Sequence, residues 1–337
     1  MQKKILILGG GGFIGWNLAK YLLNQTDSVV HLADNFSRKT KTNLFENYEN
    51  LKVFECNLLD TESYDNFDND YDHVYMMAAV VGVDKVNSVP HEVISINTRL
   101  TMNTIDWLTK VNCKKVIFTS TSENYAGTIE NFGYKIPTPE DVPLTINDPK
   151  HPRFTYAITK ILGESAFINF ARKGYFETSI IRYHNVYGPD MGFRHVIPHL
   201  AERFLKNENP FMVYGHDQTR SFNYIDDAVF GTYLAGENGK NMEIYHIGDN
   251  DEITIEELVK FVGDLFSFSG EYKAAPTFPG SVSRRCPDIT KAQKELSYSP
   301  KTNWRNGVSK TIDWYIKFLK QNTEQKESFY DKYGIKK

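Results

Sequence analysis

Cysteine is scarce in this chain. Its three residues of that type, Cys56, Cys113 and Cys286, lie far apart with no Cys-x-x-Cys pair. Neither a disulfide framework nor a zinc site is suggested, and a reducing cytoplasm is the expected location. An excess of charge of one sign is also lacking, since 39 basic and 42 acidic residues leave a formal net charge of -3. Nucleic acid is therefore not an expected partner, although a local basic pocket for phosphates is compatible with that balance. No apolar run reaches membrane-spanning length, so no membrane partner is expected. The aliphatic start, Ile5-Leu6-Ile7-Leu8, is broken at once by glycines and lacks a small-residue cleavage site, so it reads as a first strand and not a signal peptide. No internal repeat is visible, and no metal site is expected.

What is present is a long alternation of strand and helix patterns. At 337 residues the chain suits one large α/β unit or one and a half domains, with ample core. The branched-aliphatic run 3–8 predicts a buried parallel strand. Residues 13–24 predict a helix with Phe13, Leu18, Tyr21 and Leu22 toward the core. Further strands are predicted at 29–33, 51–55, 72–77, 114–119 and 178–183, with helices around 94–110 and 155–173. This βαβ order implies a Rossmann-type doubly wound parallel sheet with ligands at the carboxyl ends of its strands. Later helices are predicted at 196–206, 226–236, 254–266 and 306–319, in a smaller mixed α/β lobe that closes over the site. Residues 136–152 carry five prolines and read as an irregular loop. The expected division is a dinucleotide-binding domain over 1–185, a substrate lobe over 186–320 with segments returning to the first domain, and a loosely held polar tail over 321–337.

Gly9, Gly12 and Gly15 follow a Gly-x-x-Gly-x-x-Gly spacing, with Phe13 and Ile14 inside it, after a strand and opening a helix. Glycine suits that place because the backbone turns sharply and then lets a pyrophosphate approach the exposed N–H groups and positive end of the helix. Asp34 stands nineteen residues beyond Gly15 at the end of the next strand, placed to accept hydrogen bonds from an adenosine ribose. Its charge would repel a 2′-phosphate, which argues for NAD over NADP, while nearby Arg38 and Lys39 weigh the other way. Farther on, Tyr156 and Lys160 stand four residues apart, downstream of the hydroxyl-rich strand end Ser120-Thr121-Ser122. On a helix that spacing puts phenol and ammonium on one face, where the cation favours phenolate and prepares Tyr156 to take a proton from an alcohol. Alone, the pair is what any amphipathic helix surface offers. Combined with the glycine turn and Asp34, it describes an enzyme moving hydride between a nicotinamide and a carbinol carbon.

With these residues together the chain resembles the extended short-chain dehydrogenase/reductase family, in particular its nucleotide-sugar epimerases, dehydratases and decarboxylases. The resemblance spans roughly residues 3–319. Besides the glycine turn it rests on Asp34-Asn35-Phe36, Ala78-Ala79, Asn97, Ser120-Thr121-Ser122-Glu123 with Tyr125, the Tyr156/Lys160 pair, Asn185 before Tyr187-Gly188-Pro189, and Arg220 before Tyr224-Ile225-Asp226-Asp227. It implies NAD held by the glycine turn, Asp34, Asn35, Asn57, Leu58, Ala78, Ala79, Asn97, Tyr156 and Lys160. Thr121 would hydrogen-bond the reacting sugar hydroxyl and Tyr156 would be the base. Lys160 would hold the nicotinamide ribose and lower the tyrosine pKa. Ser122, Asn185 and Arg220, with one of Arg284 or Arg285, of which Arg285 is preferred, would meet a nucleotide-diphosphate sugar, since arginine grips phosphate oxygens bidentately. The resemblance further implies a homodimer through the helices near 97–110 and 155–173. The chain departs from the common pattern at Asn57, Met76 and Ala126, where an aspartate, a histidine and a glycine are usual.

Members with this Thr/Tyr/Lys set begin by oxidising a sugar hydroxyl, commonly at C4. A 4-keto product, released or carried into 4-epimerisation, is the leading expectation. Glu123 opens an alternative, because Ser-Thr-Ser-Glu is similar to the strand end of UDP-glucuronate decarboxylases and GDP-mannose 4,6-dehydratases. Ser122 stands where the dTDP-glucose dehydratases carry an aspartate. Glu123 as a residue that only orients the loop carries comparable weight. His184, Arg194 and His195 are candidates to touch sugar or phosphate, without a catalytic assignment. A reading from another class is a dinucleotide sensor without turnover on the same fold.

Overall fold

The computed structural model describes residues 2–38, 48–192, 195–277 and 282–321; Lys39, Arg194 and residues 322–337 of the expected tail lie outside them. The first half runs β1 (Lys4–Leu8), α1 (Phe13–Gln25), β2 (Val29–Asp34), β3 (Leu51–Glu55), β4 (Asp70–Met76), α2 (Val83–Ser88), α3 (Pro90–Leu108), β5 (Asn112–Thr121), α4 (Ala126–Phe132), α5 (Phe154–Arg172) and β6 (Glu177–Tyr183). The second half runs β7 (Val186–Tyr187), α6 (Val196–Leu205), β8 (Phe211–Tyr214), β9 (Thr219–Ser221), β10 (Asn223–Tyr224), α7 (Ile225–Asn238), β11 (Glu243–Ile247), β12 (Glu252–Thr254), α8 (Ile255–Leu265), β13 (Tyr272–Ala275), β14 (Arg284–Arg285), α9 (Thr290–Leu296) and α10 (Trp304–Gln321).

Seven strands form one sheet in the order β11-β6-β5-β4-β1-β2-β3, every pairing parallel. This is the doubly wound arrangement that the βαβ alternation implied, with its reversal point between β1 and β4. Alternate residues of β1 feed opposite faces. Ile5 and Ile7 join a core with residues of α1 and α7, whereas Leu6 and Leu8 join one with Leu100 and Ile105 of α3 and Phe167 of α5. Full burial on both faces is why the strand reads as an unbroken aliphatic run. Burying each such side chain contributes roughly 1.5–3 kcal/mol, enough to fix the register.

Short elements such as α2, α4, α9 and the strands of the smaller sheets were not foreseen, and three features of the main sheet and its helices also differ from the sequence expectation. The strand expected at 114–119 continues through Thr121, so the hydroxyl-rich segment belongs to the strand itself. The helix expected from Ile94 starts at Pro90, where a missing N–H costs nothing in the first turn. β11 was not foreseen as a strand, because His246 buried within it breaks the aliphatic pattern.

Smaller sheets follow, β10-β7, β12-β9-β14 and β13-β8. In the β9–β14 pair Arg220 lies directly beside Arg285. The proline-rich segment is irregular, yet Thr138 bridges to Pro287: Thr138 N–H donates to Cys286 O at 2.9 Å and Asp288 N–H to Thr138 O at 2.9 Å. A capping box closes the start of α8, with Thr254 Oγ1 accepting from Glu257 N–H at 3.0 Å and Glu257 Oε2 accepting from Thr254 N–H at 2.7 Å. No described helix is long and apolar enough to cross a membrane.

Candidate active site

The carboxyl ends of β1, β2, β4, β5 and β6 lead into Gly9, Asp34, Ala78, Thr121 and Asn185, so the expected site residues leave the sheet at one side. Gly9 has φ +84, and a Cβ on it would stand 2.6 Å from Ala78 N. A Cβ on Gly15 would stand 2.4 Å from Gly9 O, so helix and turn approach as only glycine permits. Gly12 caps α1 without a side-chain hydrogen bond, and a Cβ there would meet only Gly9 O, at 3.4 Å. The N-terminus of α1 is thus an uncapped positive helix end over open space.

Asp34 lies against this turn. Its Oδ2 accepts from Gly11 N–H at 3.0 Å and its Oδ1 from Phe36 N–H at 2.7 Å. Burial raises its carboxyl above the ordinary value, against these hydrogen bonds and the charge of Arg38. Asn35 is exposed and its Oδ1 accepts from Ser37 N–H at 3.1 Å. Asn57 is exposed too, its Oδ1 accepting from Leu59 N–H at 3.2 Å, whereas Leu58 is buried in the core. Asn97 has a scaffolding geometry: Oδ1 accepts from Val80 N–H at 2.7 Å, and Nδ2 donates to Val80 O at 3.1 Å and to Thr159 Oγ1 at 3.3 Å. It pins the segment after Ala78-Ala79 to α5.

Tyr156 and Lys160 lie on one face of α5. Lys160 is only 4% exposed, and its Nζ donates to Thr119 O at 2.7 Å and sits 5.8 Å from the centre of the Tyr156 ring. Burial lowers its ammonium to about 8, opposed by the charge of Glu164 one turn along the helix. The Tyr156 phenol moves upward, through burial and then the negative charge of Glu123, with Arg38 opposing. Thr121 ends β5 and caps the 3₁₀ turn Ser122–Tyr125, its Oγ1 accepting from Glu123 N–H at 3.2 Å. Ser122 is buried behind it.

Glu123 sits among guanidinium groups. Arg285 Nη1 donates to its Oε1 at 2.5 Å, and Arg153 Nη2 lies 3.6 Å from its Oε2. Burial works to raise this carboxyl, but the charges of Arg285 and Arg153 outweigh it and hold it below the ordinary value. Arg220, beside Arg285, is lowered to about 10 by burial and then by its neighbour's charge, while its side chain donates to Thr219 O, Ser283 O and Gln218 Oε1. Arg284 points elsewhere, donating to Glu252 at 3.0 and 2.6 Å. Arg153, Arg220 and Arg285 around one carboxylate leave a net positive site suited to a phosphate-bearing ligand. Asn185, at φ 40, donates from Nδ2 to Ser221 O at 2.8 Å and holds the segment before β10.

The family described as the NAD dependent epimerase/dehydratase family matches residues 5–248. The chain belongs to this family. Across 94% of its length and 98% of the relative's it is 33% identical to a UDP-N-acetyl-alpha-D-glucosaminuronate decarboxylase of Bacillus cytotoxicus. It is 30% identical to a putative UDP-glucose 4-epimerase of Methanocaldococcus jannaschii, covering 92% of this chain and 97% of the relative. Among solved structures, the UDP-glucose 4-epimerase of Thermotoga maritima with UDP-glucose aligns with TM-score 0.82 at 29% identity, over 94% of this chain and 99% of that one. As a member of this family the chain is an NAD-dependent enzyme. The residues in place fit that cofactor: the glycine turn leaves the α1 N-terminus clear, and Asp34 stands beside it as a hydrogen-bond acceptor.

Sequence reasoning missed Arg153, the second partner of Glu123, because a single arginine three residues before Tyr156 carries no pattern. It also missed Glu164, which the four-residue spacing from Lys160 could have revealed.

Proposed function

We propose that this enzyme oxidises the C4 hydroxyl of a nucleoside-diphosphate sugar to a 4-ketone, which is released or carried into 4-epimerisation. NAD, when bound, supplies the hydride acceptor. Gly9, Gly12, Gly15 and Asp34 would hold it, with Lys160 toward its nicotinamide ribose. Tyr156 takes the C4 hydroxyl proton while Thr121 hydrogen-bonds that oxygen. Because burial and Glu123 raise the phenol, the phenolate depends on nearby positive charge, and Lys160 at about 8 is still mainly an ammonium near neutral pH. Arg220, Arg285 and Asn185 face the diphosphate. The observation that carries this reading is the Tyr156/Lys160 face of α5 beside the Thr121–Glu123 turn.

The ion pair between Glu123 and Arg285 favours a second reading, in which a 4-keto uronic acid loses its carboxyl group as carbon dioxide. The named activity of the Bacillus cytotoxicus relative supports the same continuation. The test is mass spectrometry of products from the purified protein with NAD and a panel of UDP-, GDP- and dTDP-sugars and uronates. An unchanged mass with altered stereochemistry, or loss of two hydrogens, upholds the first reading. Loss of carbon dioxide that disappears in Glu123→Gln, while NADH still forms, selects the second. No change in any sugar nucleotide sinks both.

A further inference from the structure

Behind the strand end lies a buried polar network that the chemistry above does not use. Its centre is Glu164, 4% exposed. Oε1 accepts from Ser120 Oγ at 2.5 Å, from Asn124 Nδ2 at 2.8 Å and from Arg182 Nε at 2.8 Å, and Oε2 accepts from Arg182 Nη2 at 2.6 Å. Asn124 Nδ2 also donates to Ser120 Oγ at 3.1 Å. Arg182, 2% exposed, donates through Nη1 to Tyr125 OH and, at 3.1 Å, to Glu140 O. Tyr125 OH pairs with His246 Nε2 at 2.7 Å, and His246 Nδ1 with Asp288 O at 3.0 Å. One carboxylate thus joins α5, the end of β5, the turn after it and β6, and through Tyr125 and His246 reaches the segment following Arg285.

A buried ion pair contributes little net stability, since desolvating both charges offsets most of their attraction, so stability alone is a poor reason for this arrangement. Position is a better one. Ser120 and Asn124 flank Thr121 and Glu123, and Glu164 shares a helix face with Lys160 one turn earlier. We propose that Glu164 is a positioning residue that locks the Thr121–Glu123 turn to the helix bearing Tyr156 and places a negative charge one turn from Lys160, acting through these groups and not on substrate. This rests on the function proposed above, in which Thr121, Tyr156 and Lys160 are the working groups.

The charges around Lys160 isolate the effect. On its own helix lie Tyr156 and Glu164. β5 contributes the Thr119 carbonyl and the Phe118 ring, whose centre is 4.8 Å from Nζ. From β6 comes Arg182, bound to Glu164. The turn after β5 brings Glu123, bound to Arg285, and the buried face of α3 brings no charged side chain. Among these charged side chains it is Glu164 that opposes the effect of burial on this ammonium.

The experiment compares kcat–pH profiles of the wild type, Glu164→Gln, Glu164→Asp and Ser120→Ala on the sugar nucleotide that the wild type turns over. In Glu164→Gln the alkaline limb moves to lower pH and kcat at pH 8 falls on the order of tenfold. Glu164→Asp restores the limb, and Ser120→Ala lowers kcat without moving it. A loss in Glu164→Gln that is uniform in pH, or no loss, overturns the proposal. Because Glu164→Gln leaves Arg182 buried without its partner, Glu164→Gln/Arg182→Met removes both charges and must still move the limb to lower pH, by less than Glu164→Gln does. The pH dependence of Lys160 acetylation by acetic anhydride, followed by peptide mass spectrometry, reads the same charge without turnover. Its midpoint falls when Glu164 is neutralised, and an unmoved midpoint refutes the proposal. If no sugar nucleotide reacts with the wild type while this midpoint still falls, the proposed reaction fails and the effect of Glu164 on Lys160 stands.

Discussion

Two glycines of the same turn are expected to fail in opposite ways when each gains one methyl group. At Gly15 the new carbon would stand 2.4 Å from Gly9 O and 2.8 Å from Gly10 Cα, both backbone atoms that no rotamer change moves aside. Gly15→Ala should therefore cost about 1–3 kcal/mol of stability or more, the range for overpacking a tight contact. At Gly12, φ -74 and ψ 173 suit alanine, and the nearest atom is Gly9 O at 3.4 Å. Losing a glycine helix cap for alanine costs less than about 1 kcal/mol, so Gly12→Ala should fold. Its methyl nevertheless fills space before the α1 N-terminus that a pyrophosphate needs, and NAD affinity should drop roughly tenfold or more, about 1.4 kcal/mol. Thermal melts with and without saturating NAD separate the two, because a ligand that binds only the folded state raises Tm according to its affinity. Gly15→Ala should melt lower in both conditions, whereas Gly12→Ala should melt near the wild type alone and lose most of the NAD-induced rise. A Gly12→Ala protein with the full rise would refute the placement of the dinucleotide over α1.

Tyr156→Phe should abolish turnover while NAD still binds, as followed by cofactor fluorescence; activity comparable to wild type would remove Tyr156 from the chemistry. Acid should destabilise the fold below about pH 6.5. His246, lowered to about 3 by burial and then by the charge of Arg182, and His184, lowered by burial and then by His246, stay neutral when folded but bind a proton when unfolded. Each then removes up to about 1.4 kcal/mol per pH unit as pH falls, and a Tm that is flat from pH 7 to 5 would contradict it. A homodimer through α3 and α5 is expected, with the partly exposed Ile94 and Leu162 on those helices; light scattering that gives a monomer mass at all concentrations would rule it out.

The legible parts of the molecule were those where one local pattern meets one physical demand. Ile5-Leu6-Ile7-Leu8 announced a two-sided buried strand, and Gly9, Gly12 and Gly15 announced a backbone that side chains would obstruct, as the contacts at Gly9 and Gly15 bear out. What escaped depends on residues distant in sequence. Arg285 was preferred over Arg284 with no local pattern to separate them, and its place comes from a strand paired beside Arg220 and a side chain set on Glu123. Asn97, expected against the cofactor, has its amide engaged by Val80 and Thr159, a scaffold that helix periodicity does not encode. β11 was hidden because its buried His246 is satisfied by Tyr125, far back in the chain.

The place of β11 also matters to a chain still being made. A ribosome releases β6 long before Ile247, and until then β6 offers bare backbone donors and acceptors along one side. The nascent protein therefore carries, for that interval, a sticky strand that its own later sequence is meant to cover. A fragment stopped after residue 185 would carry it permanently, and such a fragment should aggregate where one extended past β11 has its outer strand in place.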